Sequence, residues 1–241
     1  MKLLIIRHGD PDYSIDSLTE KGWNEAKLLS ERMQKEKADY YYCSILGRAK
    51  DTASLTLEKL NKTAVYLEWL KEFDSPIEYP QGIKKGHCWD LLPRDFANDE
   101  KFFDINEWYN TKLYKNTPVK DEYNRVCAEL DKLLEKHGYA RQGNHYNAFN
   151  ANDDTLAFFC HFGLECVLLS HLLNIPAPAL WQGTMAAPTS VTTLYTEERE
   201  QGIAYFRMQS FGDNSHLYVA NEPPAFAGRF CEKYDNFDER H

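Results

Sequence analysis

A three-layer α/β/α sandwich with a mostly parallel central sheet is the fold this sequence predicts. Two observations carry that expectation. Short apolar runs of strand length recur without alternation, at Leu4-Ile5-Ile6, Tyr40-Tyr41-Tyr42-Cys43 and Leu156-Ala157-Phe158-Phe159-Cys160, as strands buried on both faces require. Stretches with helical spacing separate them, so the order reads β-α-β-α-β, an insertion, then α-β-α-β-β. A third observation bears on use rather than architecture. Arg7-His8-Gly9 follows the first run, Arg48 lies four residues past Ser44, and His161 and Gly163 follow Cys160. Ligands in open α/β sheets bind beyond the carboxyl ends of strands. Two arginines and two histidines therefore collect where a ligand would sit.

The elements follow in order. The first strand starts at Lys2, so nothing is expected to precede the fold. A loop runs from Asp10 to Leu18, and Thr19 reads as an N-cap with Glu20 in the first turn. Trp23, Ala26, Leu29 and Met33 supply the helical stripe. After the second strand, Gly47-Arg48-Ala49 opens a helix whose Ala49, Thr52, Ala53, Thr56 and Leu60 share a face, which puts Arg48 in its first turn. Ala64 to Leu67 reads as a third strand, with Glu72 close behind. Residues 73–117, rich in Pro, Asp, Asn, Lys and aromatics, lack a clean period and read as an insertion of loops and short helices over the site. Val119, Tyr123, Val126, Leu130 and Leu133 define a helix stopped by Gly138. Residues 139–154 read as a loop. A helix over 164–173 ends at Asn174 and Pro176, and 190–195 with 203–209 forms a terminal hairpin. From about 219 the pattern becomes a polar tail. One domain over 1–241 accommodates all of this.

Composition narrows the function. The 241 residues carry a net charge of −9, which argues against nucleic acid as a partner. A local basic pocket still holds a small anion, because close charges outweigh distant screened ones. No run approaches the length of a membrane span, and residues 1–6 are too short for a secretory signal. Six cysteines, irregularly spaced and without a Cys-x-x-Cys pair, point to a reduced, cytoplasmic protein.

Arginines and histidines without a carboxylate cage suit an oxyanion. Arginine binds phosphate through bidentate, charge-assisted hydrogen bonds. Neutral imidazole is a nucleophile, so one histidine can take a phosphoryl group while the other, with the arginines, holds its equatorial oxygens. A departing alkoxide needs a proton, and Glu72, just past a strand, is the candidate acid. A metal site from His8, Asp10, Asp12 and His161 would place a cation beside two arginines. Asp10 and Asp12 read instead as shaping their loop and orienting Arg7. Cys160 reads as core. Lys84, Lys85 and Arg94 form a solvated face or meet a second anionic group. Trp108 and Trp181 read as packing residues, and Trp89 as packing or the lining of a cleft.

Arg7-His8-Gly9, Ser44-Ile45-Leu46-Gly47-Arg48-Ala49-Lys50-Asp51-Thr52-Ala53 and Cys160-His161-Phe162-Gly163 resemble three hallmark segments of the histidine phosphatase superfamily, in its phosphoglycerate-mutase-like branch. Leu18-Thr19-Glu20-Lys21-Gly22 and Gly212-Asp213-Asn214-Ser215-His216-Leu217 are similar to further stretches of that branch. The resemblance implies a metal-independent phosphatase without cofactor, acting on a small phosphorylated substrate. It implies His8 as the residue that becomes phosphohistidine, His161, Arg7 and Arg48 around the phosphate, and Glu72 as proton donor. Ser14, which stands where many members carry a phosphate-holding Asn, is expected to join the phosphate-binding residues, and Phe162 replaces the first of two glycines. Phosphoryl transfer of the mutase type and a non-catalytic phosphate-binding relative are the alternatives. The insertion, which would select the substrate, carries no decipherable motif.

Overall fold

The computed structural model describes residues 1–78, 85–227 and 232–234. Its first half is built of β1 (Lys2–Arg7), the short pair β2 (Pro11–Asp12) and β3 (Ser17–Leu18), α1 (Glu20–Glu36), β4 (Tyr40–Ser44), α2 (Gly47–Leu60) and β5 (Val65–Leu67). The inserted region holds a hairpin of β6 (Pro76–Glu78) and β7 (Lys85–His87), then α3 (Pro93–Phe96) and two 3-10 turns. The second half comprises α4 (Val119–Lys136), β8 (Tyr139–Gln142), β9 (His145–Ala148), β10 (Thr155–Cys160), α5 (Phe162–Leu173), α6 (Ala177–Gly183), β11 (Val191–Glu200), β12 (Ile203–Asp213) and α7 (Ser215–Val219).

The large sheet runs β5-β4-β10-β1-β11-β12-β9-β8. Its parallel part is β5, β4, β10 and β1, and antiparallel strands extend it from β11 onward. Register aligns the strand ends. Arg7 lies opposite Cys160, Phe159 opposite Cys43, and Ser44 opposite Leu67. The residues that follow each strand therefore emerge along one edge.

Alternation along β1 explains the layers. Leu3 and Ile5 join a core with Phe158, Leu130, Leu134 and Leu168, beneath α4 and α5. Leu4 and Ile6 face the other way, onto Leu29, Met33, Ala49 and Ala53 of α1 and α2. All four β1 side chains are at most 1% exposed. Each such side chain contributes roughly 1.5–3 kcal/mol by leaving water. Helix α1 starts as expected, with the Thr19 hydroxyl accepting from the Gly22 N–H.

Residues 139–154 depart from the expected loop. Tyr139 to Ala148 form the hairpin β8–β9, turning at Gly143 with φ +58°, and β9 pairs with β12. Four-residue strands with polar exposed faces leave too short an alternation to read beside the surrounding Asn and Asp. Aromatics fasten the inserted region. Trp108 and Trp181 cross edge to face at 5.9 Å, and the Tyr114 hydroxyl donates to the Cys88 carbonyl. Trp108 and Trp181 are core residues, as read from the sequence. Lys84 lies outside the described residues, and Arg94 is exposed on α3. No helix among the described residues is long and apolar enough to cross a membrane.

Candidate active site

His8 leaves β1 fixed by backbone bonds on both sides: its N–H donates to the Cys160 carbonyl and its carbonyl accepts from Thr189. Its Nδ1 lies 2.8 Å from the Gly9 carbonyl, a bond only a protonated Nδ1 can make. The lone pair of the neutral ring is thereby left on Nε2. Burial, then Arg7 and Arg48, hold the imidazole well below its ordinary 6.5, so it is neutral at pH 7.

His161 follows β10, with its ring centroid 5.0 Å from that of His8. Its Nε2 lies 2.8 Å from the Ser44 hydroxyl, which also accepts from the Leu46 N–H. The tautomer that accepts from Ser44 at Nε2 carries its proton on Nδ1. That atom is buried and has no hydrogen-bond partner. Burial, then His8 and the two arginines, lower the pKa of this ring as well.

The arginines are seated differently. Arg7 Nη1 donates to the carbonyls of Ala186 and Ala227, the latter at 3.0 Å, and the Phe162 ring lies 5.9 Å from its guanidinium carbon. Arg48 Nη1 donates to Asp16 Oδ1 at 2.6 Å, while the Gly47 N–H holds Asp16 Oδ2. A Cβ on Gly47 would stand 2.0 Å from the Asp16 carbonyl oxygen, so only glycine permits this approach. Both Arg7 Nε and Arg48 Nε are buried without a partner.

Glu72 comes from the segment after β5. Its Oε1 accepts from the N–H groups of Phe73 (2.8 Å) and Leu164 (3.0 Å), the latter in the first turn of α5. Burial raises its pKa above the ordinary 4.5, against the pull of those two N–H groups, Arg7 and Arg48. A Cβ on Gly163 would stand 2.8 Å from both Glu72 Oε1 and the Trp89 ring, so Gly163 makes room for the carboxyl and for Trp89 of the inserted region.

The structure thus gathers Arg7, His8, Arg48, Glu72 and His161. It does not deploy Ser14 with them: Ser14 is exposed, and its N–H and hydroxyl both donate to Asp12 Oδ1. Asp10 likewise serves its loop, accepting from the Thr19 hydroxyl. The role of orienting Arg7, expected of these aspartates, falls to the two carbonyls. Cys160 is fully buried, and burial pushes its thiol well up. Ser44, Asp16 and Ala227 went unread. Ser44 alone had a local signal, a hydroxyl at the end of a buried strand.

The description of the histidine phosphatase superfamily, branch 1, matches residues 3–208. The chain belongs to this superfamily. Among its histidine phosphatase relatives, phosphoserine phosphatase 1 of Hydrogenobacter thermophilus is 27% identical over 146 residues, covering 57% of this chain and 66% of that one, just under two thirds of its length. The adenosylcobalamin/alpha-ribazole phosphatase of Salmonella typhi is 26% identical over 191 residues, 75% of this chain and 84% of that one. Two solved phosphatase structures share the fold. A mutant phosphoserine phosphatase of Entamoeba histolytica in complex with phosphoserine superposes with a TM-score of 0.61 at 19% identity, over 90% of this chain and 98% of that one. A mycobacterial glucosyl-3-phosphoglycerate phosphatase with inorganic phosphate gives 0.60 at 20% identity, over 89% and 98%.

One buried carboxyl near this site is expected to give stability a pH dependence. Glu165 on α5 is 1% exposed, and burial lifts its pKa to about 7, opposed by Thr192 and Arg7 and assisted by Glu72. The folded chain therefore holds this proton between pH 4.5 and 7, where the unfolded chain has released it. Stability contributed by Glu165 is present below 4.5 and declines as pH rises toward 7, by roughly 3 kcal/mol. Glu165→Gln should remove that part of the slope in urea unfolding at pH 5 and pH 8. Equal slopes in both proteins would show that Glu165 does not titrate in this window.

Proposed function

We propose that this chain hydrolyses a small phosphomonoester through a phosphohistidine on His8. One observation carries the reading: a neutral, buried imidazole with its Nε2 lone pair available stands among three buried nitrogens that have no partner, the guanidinium donors Arg7 Nε and Arg48 Nε and the ring atom His161 Nδ1. Buried polar atoms are normally satisfied, and three such nitrogens in one place fit the equatorial oxygens of a transferring phosphoryl group.

His8 Nε2 attacks phosphorus as the ester P–O bond breaks, and the leaving oxygen takes the proton of Glu72. Water then attacks the phosphohistidine, giving its proton to the Glu72 carboxylate and releasing phosphate and neutral His8. The names of the phosphoserine and glucosyl-3-phosphoglycerate phosphatases support a small alcohol. Five free, buried cysteines among the described residues fit a reducing, cytoplasmic setting.

A panel of phosphate monoesters, run beside a mutase assay with 2,3-bisphosphoglycerate, tests the assignment. Hydrolysis should dominate and should survive exhaustive EDTA treatment, since two arginines fill the charge role. Loss on chelation, restored by a divalent ion, would replace this mechanism by a metal-assisted one. Phosphoryl return to the bisphosphoglycerate partner would make the chain a mutase.

A further inference from the structure

Residues 221–227 run back along one face of α1. Lys21 Nζ donates to Glu222 and to the Pro223 carbonyl, both at 2.6 Å, and Asn24 donates to Glu222 at 2.8 Å. One residue further on α1, Glu25 is fully buried. Its Oε1 accepts from the Ala225 N–H at 2.7 Å, and its Oε2 from the Asp10 N–H at 3.1 Å. Each donor lies two residues from a reacting part of the site: Asp10 from His8, and Ala225 from Ala227, whose carbonyl holds Arg7.

We propose that Glu25 is a positioning residue, which seats the C-terminal segment so that the Ala227 carbonyl fixes the Arg7 guanidinium for phosphate. What Arg7 grips rests on the phosphatase reading above. Two carbonyls occupy the two hydrogens of Arg7 Nη1, and this sets the plane of the group. Its Nε then faces no protein acceptor. Because both acceptors are neutral, the arginine keeps its full charge for an anion, whereas Arg48 shares its charge with Asp16. Without the Ala227 carbonyl the guanidinium is held on one side only. A buried carboxyl group is costly unless its oxygens are satisfied, and here both are satisfied by backbone donors of the two segments that must be aligned.

The test uses the full-length chain and three variants. Ala225→Pro removes the N–H that Glu25 holds and leaves α1 intact. Glu25→Gln keeps the shape and puts an amide NH2 donor where one acceptor stood. Lys21→Ala cuts only the exposed ties to Glu222 and Pro223. Calorimetry measures inorganic phosphate binding, and p-nitrophenyl phosphate gives kcat and KM. In Ala225→Pro and Glu25→Gln, phosphate should bind roughly ten- to hundredfold more weakly, the worth of one hydrogen bond to a charged group, with KM raised in step. Lys21→Ala should stay within about twofold of wild type, as expected of an exposed pair. Phosphate binding unchanged in the first two variants, or weakened equally in Lys21→Ala, overturns the positioning role. If the wild type binds phosphate but hydrolyses no ester, weakened binding in the two variants still supports the role of Glu25, and only the phosphatase reading falls.

Discussion

His8→Ala is expected to lose turnover by about 10⁴-fold or more, the scale on which removal of a nucleophile is felt. It should also abolish an acid-labile, base-stable phosphoprotein formed with substrate. The fold should persist, because His8 is held through its backbone, which alanine keeps. His161→Ala should behave differently. It deletes a ring whose Nδ1 has no protein partner, so phosphorylation and turnover both slow while the modified residue stays the same. Mass spectrometry of an intermediate rapidly trapped under alkaline denaturing conditions distinguishes the two. Phosphate on His161 or Cys160 would overturn the assignment.

Glu72→Gln separates leaving groups. A general acid contributes about 10²–10⁴-fold, and alkyl alkoxides need that help while p-nitrophenolate departs without it. Alkyl phosphate hydrolysis should therefore fall by about that factor, and p-nitrophenyl phosphate hydrolysis far less. The pH profile supplies an independent check. Glu72 acts in its protonated form, and its pKa is raised above 4.5, so wild-type activity on alkyl esters should fall as pH rises through the shifted value. The acid limb reflects protonation of His8, whose pKa is lowered, and so lies below 6.5. The variant should keep the acid limb and lose the other. Equal losses on both ester types would make Glu72 a structural acceptor for α5, with Asp10 and Asp74 as the next donors to test.

The gathered residues were legible because each stands just past a buried strand. Apolar runs announce such strands locally, and parallel register then brings their ends together. What holds those residues was not legible. Arg48 is paired by Asp16 across 32 positions, and Arg7 by carbonyls 179 and 220 positions away. A backbone carbonyl has no residue type to read, and Asp16 looks like any acidic loop residue. Ser14 illustrates the converse. Its place in the chain matches a phosphate-holding residue, but a hydroxyl two residues from Asp12 has a nearer acceptor, and the turn claims it. The hairpin β8–β9 was hidden because tertiary pairing with β12 makes a strand of what local pattern leaves undecided.

The pairing of β1 has a consequence for how the chain is made. Both neighbours of this first strand come late: Lys2 pairs with Thr155 on one side and Tyr195 on the other. During synthesis β1 must wait as an apolar segment with two open edges while more than half of the protein is added. Contacts of such long sequence separation form slowly, and unpaired apolar strands invite association with other chains. The α1–α2 layer, complete by residue 60, can cover one face of that strand in the meantime. The early helices thus serve as a shelter for a nascent strand well before they serve as one wall of the finished sandwich.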